Sequence, residues 1–164
     1  MIPSEDEWHK AAYHKNDGVT GNYFGYPTSS DAAPGQDMAD VSGNNANSYT
    51  SPFTYPIDSG KYTTVVGEFQ NSDSPYGTFD QGGNVWEWID GIVQSRYGSC
   101  RGLRGGSFAS DGPSDPLRAS ARYDGVGPLH THSDFGFRVA RVPEPASMLM
   151  LGLGGLTLLR RRRA

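Results

Sequence analysis

Between Asn16 and Ser59 the chain shows neither a helical stripe nor a sustained alternation, only one turn-forming cluster after another. The clusters are Gly25-Tyr26-Pro27, Ser29-Ser30-Asp31, Ala33-Pro34-Gly35 and Gly43-Asn44-Asn45. A loop of that length inside a compact domain is functional or held in place by ligands. It predicts a fold whose loops, more than its regular elements, carry the structure. The rest of the chain agrees: 22 Gly and 11 Pro among many Asn, Ser, Asp and Tyr mean turns throughout. No internal repeat is evident.

A few segments break this pattern. Ser4 followed by Glu7 has the spacing of a capping box, and Trp8, Ala11, Ala12 and Tyr13 lay one apolar stripe on the helix it would open. A helix that short must pack on neighbours. Four runs read as short strands from their β-branched and aromatic content between Gly and Asp clusters: Tyr62 to Phe69, Asn84 to Ile89, Gly102 to Phe108 and Phe135 to Arg141. In the second, alternation puts Trp86 and Trp88 on one face and Val85, Glu87 and Ile89 on the other. The tryptophans are expected in the core.

The chain ends in three parts: Val142-Pro143-Glu144-Pro145, an apolar run from Ala146 to Leu159, and Arg160 to Arg163. Lys and Arg stay on the cytoplasmic side of an inserted segment, so the residues before Pro143 would lie outside. The run falls short of the roughly 20 residues of an ordinary spanning helix. With Gly152, Gly154 and Gly155 inside it, it suits transient insertion better than permanent anchoring, a simple anchor helix being the alternative. Removing this tail from fold reasoning leaves one domain. Net charge is −4 although the tail adds four arginines and one glutamate, so the domain is acidic. That argues against a nucleic-acid partner and is compatible with cation binding. Cys100 is the only cysteine and forms no internal disulfide. The chain opens Met1-Ile2-Pro3-Ser4-Glu5-Asp6-Glu7-Trp8, without a basic-then-apolar leader, and is expected to be a truncated piece of a larger domain.

Chemistry concentrates in Tyr76-Gly77-Thr78-Phe79-Asp80-Gln81-Gly82-Gly83-Asn84-Val85-Trp86-Glu87-Trp88. Two glycines let the backbone turn sharply, and Asp80 and Glu87 bring carboxylates from either side, an oxygen-only environment of the kind calcium prefers. An acidic turn leading into a core strand is the other reading. His130-Thr131-His132-Ser133-Asp134 can place two imidazoles and a carboxylate on one side of an extended segment, although two histidines in a polar loop are more often solvated.

Pro3-Ser4-Glu5-Asp6-Glu7-Trp8, Gly82-Gly83-Asn84-Val85-Trp86-Glu87-Trp88, Leu103-Arg104-Gly105-Gly106-Ser107-Phe108 and Gly136-Phe137-Arg138-Val139 occur in the order found in the formylglycine-generating enzyme, or sulfatase-modifying factor, family. The chain resembles that family across residues 1–141, and residues 142–164 resemble a PEP-CTERM sorting signal. The first resemblance implies an α+β fold related to C-type lectins, loop-rich with short strands, and the apolar tail adds a C-terminal hydrophobic helix. It also implies that a portion before the first helix is missing. Two calcium sites are carried over with it. One has Asp80, the Gly83 and Val85 carbonyls and Glu87; the other has Asn47, the Ser48 carbonyl, Asp58 and the Gly60 carbonyl.

Members that oxidise a sulfatase cysteine use two cysteines after the Gly-Gly-Ser motif, and here Ser110 and Asp115 stand in those places. Neither replaces a thiolate for copper, so no formylglycine-generating activity is expected. Related sulfoxide-forming enzymes are non-haem iron proteins whose histidines come largely from an additional domain.

Arg104, Arg118, Arg122 and Arg138 are expected to pair with carboxylates. Tyr23, Tyr26, Tyr49 and Tyr55 are candidates for a stacking surface. The tail resemblance implies export, an exosortase-type protease, and delivery to the cell surface, outer membrane or extracellular matrix. The first functional expectation is a non-catalytic surface module binding calcium and a peptide or glycan. The alternative is a divergent non-haem metal oxidoreductase of the same superfamily.

Overall fold

The computed structural model describes residues 1–49, 62–95, 98–110 and 115–141. These hold one helix, α1 (Glu5–Tyr13), and four strands: β1 (Trp86–Ser95), β2 (Gly98–Arg104), β3 (Tyr123–Val126) and β4 (Phe135–Gly136). The capping box forms as the sequence requires: Glu7 N–H donates to Ser4 Oγ at 3.3 Å and Ser4 N–H to Glu7 Oε2 at 2.8 Å. Glu5, Asp6 and Glu7 in the first turn complement the positive end of the helix dipole. Trp8, Ala12 and Tyr13 are fully buried and meet Ile89 of β1 in the main apolar cluster.

The sheet order is β3-β2-β1-β4, with β1–β2 and β2–β3 antiparallel and β4 parallel to β1. A bulge between Trp88 and Ile92 bends the central strand, as an unpaired residue must. The helix therefore lies on one sheet face and leaves the other to the strands' remaining side chains. From Asn16 through Tyr49 the chain is loop, pinned by isolated bridges such as Gly35 with Asn45. Asn45 and Asn47 are buried there, their backbones and amides serving as loop-to-loop ties.

Several expectations are corrected. Residues 62–69 form bends and a turn, Val65 and Val66 being strongly exposed, so β-branched content there fills no sheet position. The strand expected at 102–108 stops at Arg104, because Gly105 and Gly106 take φ of 93° and 74°, outside the strand region. The run from Phe135 pairs as a strand only through Gly136; beyond it Ala140 exchanges backbone hydrogen bonds with Met1.

The largest correction concerns β1. Glu87 is 5% exposed and Ile89 0%, whereas Trp86 and Trp88 are half-buried on the opposite face. The carboxylate points in because a partner waits there. Arg138 closes both guanidinium donors on Glu87, and Trp8 Nε1–H donates to its Oε2 at 2.6 Å. Arg138 belongs to a segment of the same logic, its charge inward between Phe137 and Val139, which are exposed.

Candidate functional site

The turn from Asp80 to Asn84 is built from left-handed residues: Asp80 has φ 54°, Gly83 80° and Asn84 61°. Asn and Asp tolerate that region better than other non-glycine residues, while Gly83 is required, since a Cβ there would sit 2.2 Å from the Asn47 carbonyl oxygen. The contorted backbone ties three loops. Asn84 N–H donates to Asn47 O at 2.6 Å, Gly83 N–H to Gly105 O at 2.8 Å, and Phe108 N–H to Asn84 O at 3.0 Å. The Asn84 side chain accepts from Asn47 Nδ2 at 3.3 Å and Thr64 N–H at 3.1 Å, and donates to Thr64 O at 3.3 Å.

Asp80 is half-buried and its Oδ2 accepts from Gly67 N–H at 2.6 Å. Burial raises its carboxyl above the ordinary aspartate range, opposed by the Gly67 hydrogen bond and by the nearby Arg138 charge. With Glu87 held by Arg138 and Trp8, the set Asp80, Gly83, Val85 and Glu87 does not fit calcium as it stands, both Glu87 oxygens being taken by protein donors. The other set fits better in the part described. Asn47 is 1% exposed, its Nδ2 bound to Tyr62 O and Asn84 Oδ1, and its Oδ1 is buried with no donor among the described residues. A buried acceptor of this kind can be satisfied by a cation or by a water molecule. Ser48 is buried beside it and its carbonyl accepts from Gln36 Nε2. Asp58 and Gly60 lie outside the described residues.

Ser110 and Asp115 serve the local turn. Ser110 Oγ accepts from Ser107 N–H at 2.7 Å and lies 2.9 Å from Ser107 Oγ. Asp115 accepts from Leu117 N–H at 3.2 Å and from the Tyr26 hydroxyl, and pairs with Arg118. Cys100 is buried in β2, opposite Val93. Ser107 Oγ donates to the buried Asp134 at 2.7 Å, and His132 Nδ1 contacts the same carboxylate, so this Asp holds a serine and a histidine apart instead of lining them up for proton relay. His130 lies against the Phe135 ring. Among the described residues no group of three or more His, Cys, Asp or Glu side chains converges as a metal site.

The four arginines pair as expected: Arg104 and Arg122 with Glu5, Arg122 also with Asp124, Arg118 with Asp115 and Arg138 with Glu87. Of the tyrosines, Tyr23 is exposed, Tyr49 is half-buried, Tyr26 is 2% exposed and belongs to a core cluster with Ala46 and Leu117, and Tyr55 lies outside the described residues. Beside Ser110 opens a cleft of about 480 Å³ lined by Trp86, Pro116, Ala121, Arg122 and Tyr123. Nothing in the sequence announced Tyr123, since Tyr-Asp-Gly-Val shows no alternation and carries a glycine.

A small mixed sheet with one packed helix and long pinned loops defines a loop-dominated α+β domain. The chain belongs to the family of the sulfatase-modifying factor enzyme 1-like domain, whose profile matches residues 1–143, and the PEP-CTERM protein-sorting motif matches residues 141–163. The crystal structure of CarF is similar, with TM-score 0.60 and 25% identity over 88% of this chain and 47% of that one. Treponema denticola variable protein 1 is similar in fold, with TM-score 0.50 and 24% identity over 84% of this chain and 45% of that one. The chain thus spans about half the length of these two structures. No curated protein matches the sequence. The sorting motif indicates export with membrane-anchored sorting. No described helix is long and apolar enough to cross a membrane, and the run 146–159 lies outside the described residues.

Proposed function

We propose that this is an exported, non-catalytic recognition module, delivered through exosortase-type processing to the cell surface or matrix. Its pinned loops are stiffened by calcium on the Asn47 side, and it binds a peptide, glycan or other matrix component. The observation carrying this reading is the cleft beside Ser110: its described lining offers aromatic rings, hydroxyls and a guanidinium, with no thiol and no imidazole. Ser110 itself is engaged with Ser107. Such a surface can hold a ligand in place but supplies no soft ligand for copper.

The test uses the native exported protein. A calcium concentration of about 100 times Kd stabilises a one-site protein by roughly 2.7 kcal/mol, so calcium is expected to raise Tm by several degrees. Asn47→Ala abolishes the rise. Unchanged Tm with calcium sinks the calcium part. Oxygen consumption accompanied by a stoichiometric redox metal would replace the whole reading with a metal oxidoreductase.

A further inference from the structure

The sheet face opposite α1 carries a group of partly exposed aromatic rings. Trp86 and Trp88 leave β1 on that face, with Phe135 of β4 in register beside Trp86. Across β2 the register runs Trp88 to Leu103 to Tyr123, the leucine being fully buried in the middle of the row. The rings touch in two pairs, Trp86 with Tyr123 at 5.7 Å and Trp88 with Phe135 at 5.6 Å. Tyr123 is 47% exposed and stands between two hollows. One is the 480 Å³ cleft at Trp86; the other, about 250 Å³, is lined by Tyr123, Val126, Gly127, His130 and Phe135. The face is therefore an aromatic platform flanked on both sides by room for a ligand.

Charge narrows what that ligand is. Among the described residues lining the hollows Arg122 is the one arginine or lysine, and it is already paired: Nη1 lies 2.7 Å from Glu5, and Nε contacts Asp124. Among the described lining residues a polyanion finds no free cation, and a cationic peptide finds no carboxylate. Rings with a hydroxyl, an indole N–H and an imidazole at their edges instead offer apolar faces and polar tips together. We infer that this face is a binding platform for an uncharged oligosaccharide, whose sugar rings stack on Trp86, Tyr123 and Phe135 and whose chain runs past Tyr123 from one hollow into the other. This rests on the recognition reading above and gives it a ligand class and a surface.

Intrinsic tryptophan fluorescence of the native protein is titrated with neutral hexaoses (cello-, malto-, xylo- and mannohexaose), and with hyaluronan and an extended peptide library as comparators. At least one neutral hexaose is expected to bind saturably and more tightly than its disaccharide. Tyr123→Ala and Phe135→Ala should each weaken it by about tenfold, the scale of one lost aromatic contact. Val19→Ala, an exposed position off the platform, should leave it unchanged. Equal Tm of Tyr123→Ala and the parent establishes that the loss is not unfolding. Lack of saturable binding by every neutral hexaose overturns the inference. Binding of hyaluronan or peptide in its place, sensitive to Tyr123→Ala, overturns the sugar assignment while leaving the recognition reading intact.

Discussion

Arg138→Ala isolates the interaction on which the interior of this domain turns. Glu87 is 5% exposed, and its carboxylate is held by the Arg138 guanidinium and by Trp8 Nε1–H at 2.6 Å. Removing the arginine leaves a buried carboxylate with one neutral donor and also takes a 3.2 Å hydrogen bond from Phe79 O. Breaking a fully buried pair costs about 3–5 kcal/mol. The Arg138 side chain is 23% exposed, so water reaches part of the vacated space and the expected loss is about 2–4 kcal/mol. Equilibrium urea unfolding of the native chain, followed by tryptophan emission, measures it. The double variant Glu87→Gln, Arg138→Met removes the stranded charge and should recover a large part of the loss, since the uncompensated buried charge is the costly part of a broken pair. If Arg138→Ala costs under about 1 kcal/mol, or the double variant is worse than the sum of the single changes, the buried pair is not what orients β1.

Three further outcomes are expected. Asp80 has a folded-state carboxyl raised chiefly by burial, so the native state binds the extra proton and stability falls as pH rises from the unfolded aspartate range through the higher folded value. Asp80→Asn, which also tolerates φ 54°, should flatten Tm against pH in calcium-free buffer from the ordinary aspartate range upward; an unchanged profile refutes the assignment. Gly83→Ala combines φ 80° with a Cβ 2.2 Å from Asn47 O and should cost about 3 kcal/mol or more in urea unfolding. Ser4→Ala removes the cap of α1 and should cost about 1 kcal/mol by the same measurement, whereas Ser4→Thr keeps a capping hydroxyl and should retain most of the stability.

Local rules written in the sequence determined a good deal. The capping box of α1 needs only Ser4 and Glu7, three positions apart, because both partners lie within one turn. The loop from Asn16 to Tyr49 follows from turn residues that no sheet can absorb. That Ser110 and Asp115 carry a hydroxyl and a carboxylate, neither of them a soft ligand, is written in residue type alone. Alternation also separated the faces of β1 correctly. Which face turned inward was beyond it: hydropathy favoured the tryptophans, but a buried carboxylate is tolerated when its counter-charge arrives from 51 residues away, and only the tertiary structure brings Arg138 to Glu87. The same step turned Trp86 and Trp88 toward the outer face, set Tyr123 and Phe135 beside them, and left Asn47 Oδ1 buried with no donor among the described residues. Periodicity fixes which side chains share a face; long-range pairing of charge and hydrogen bonds decides which face is the inside.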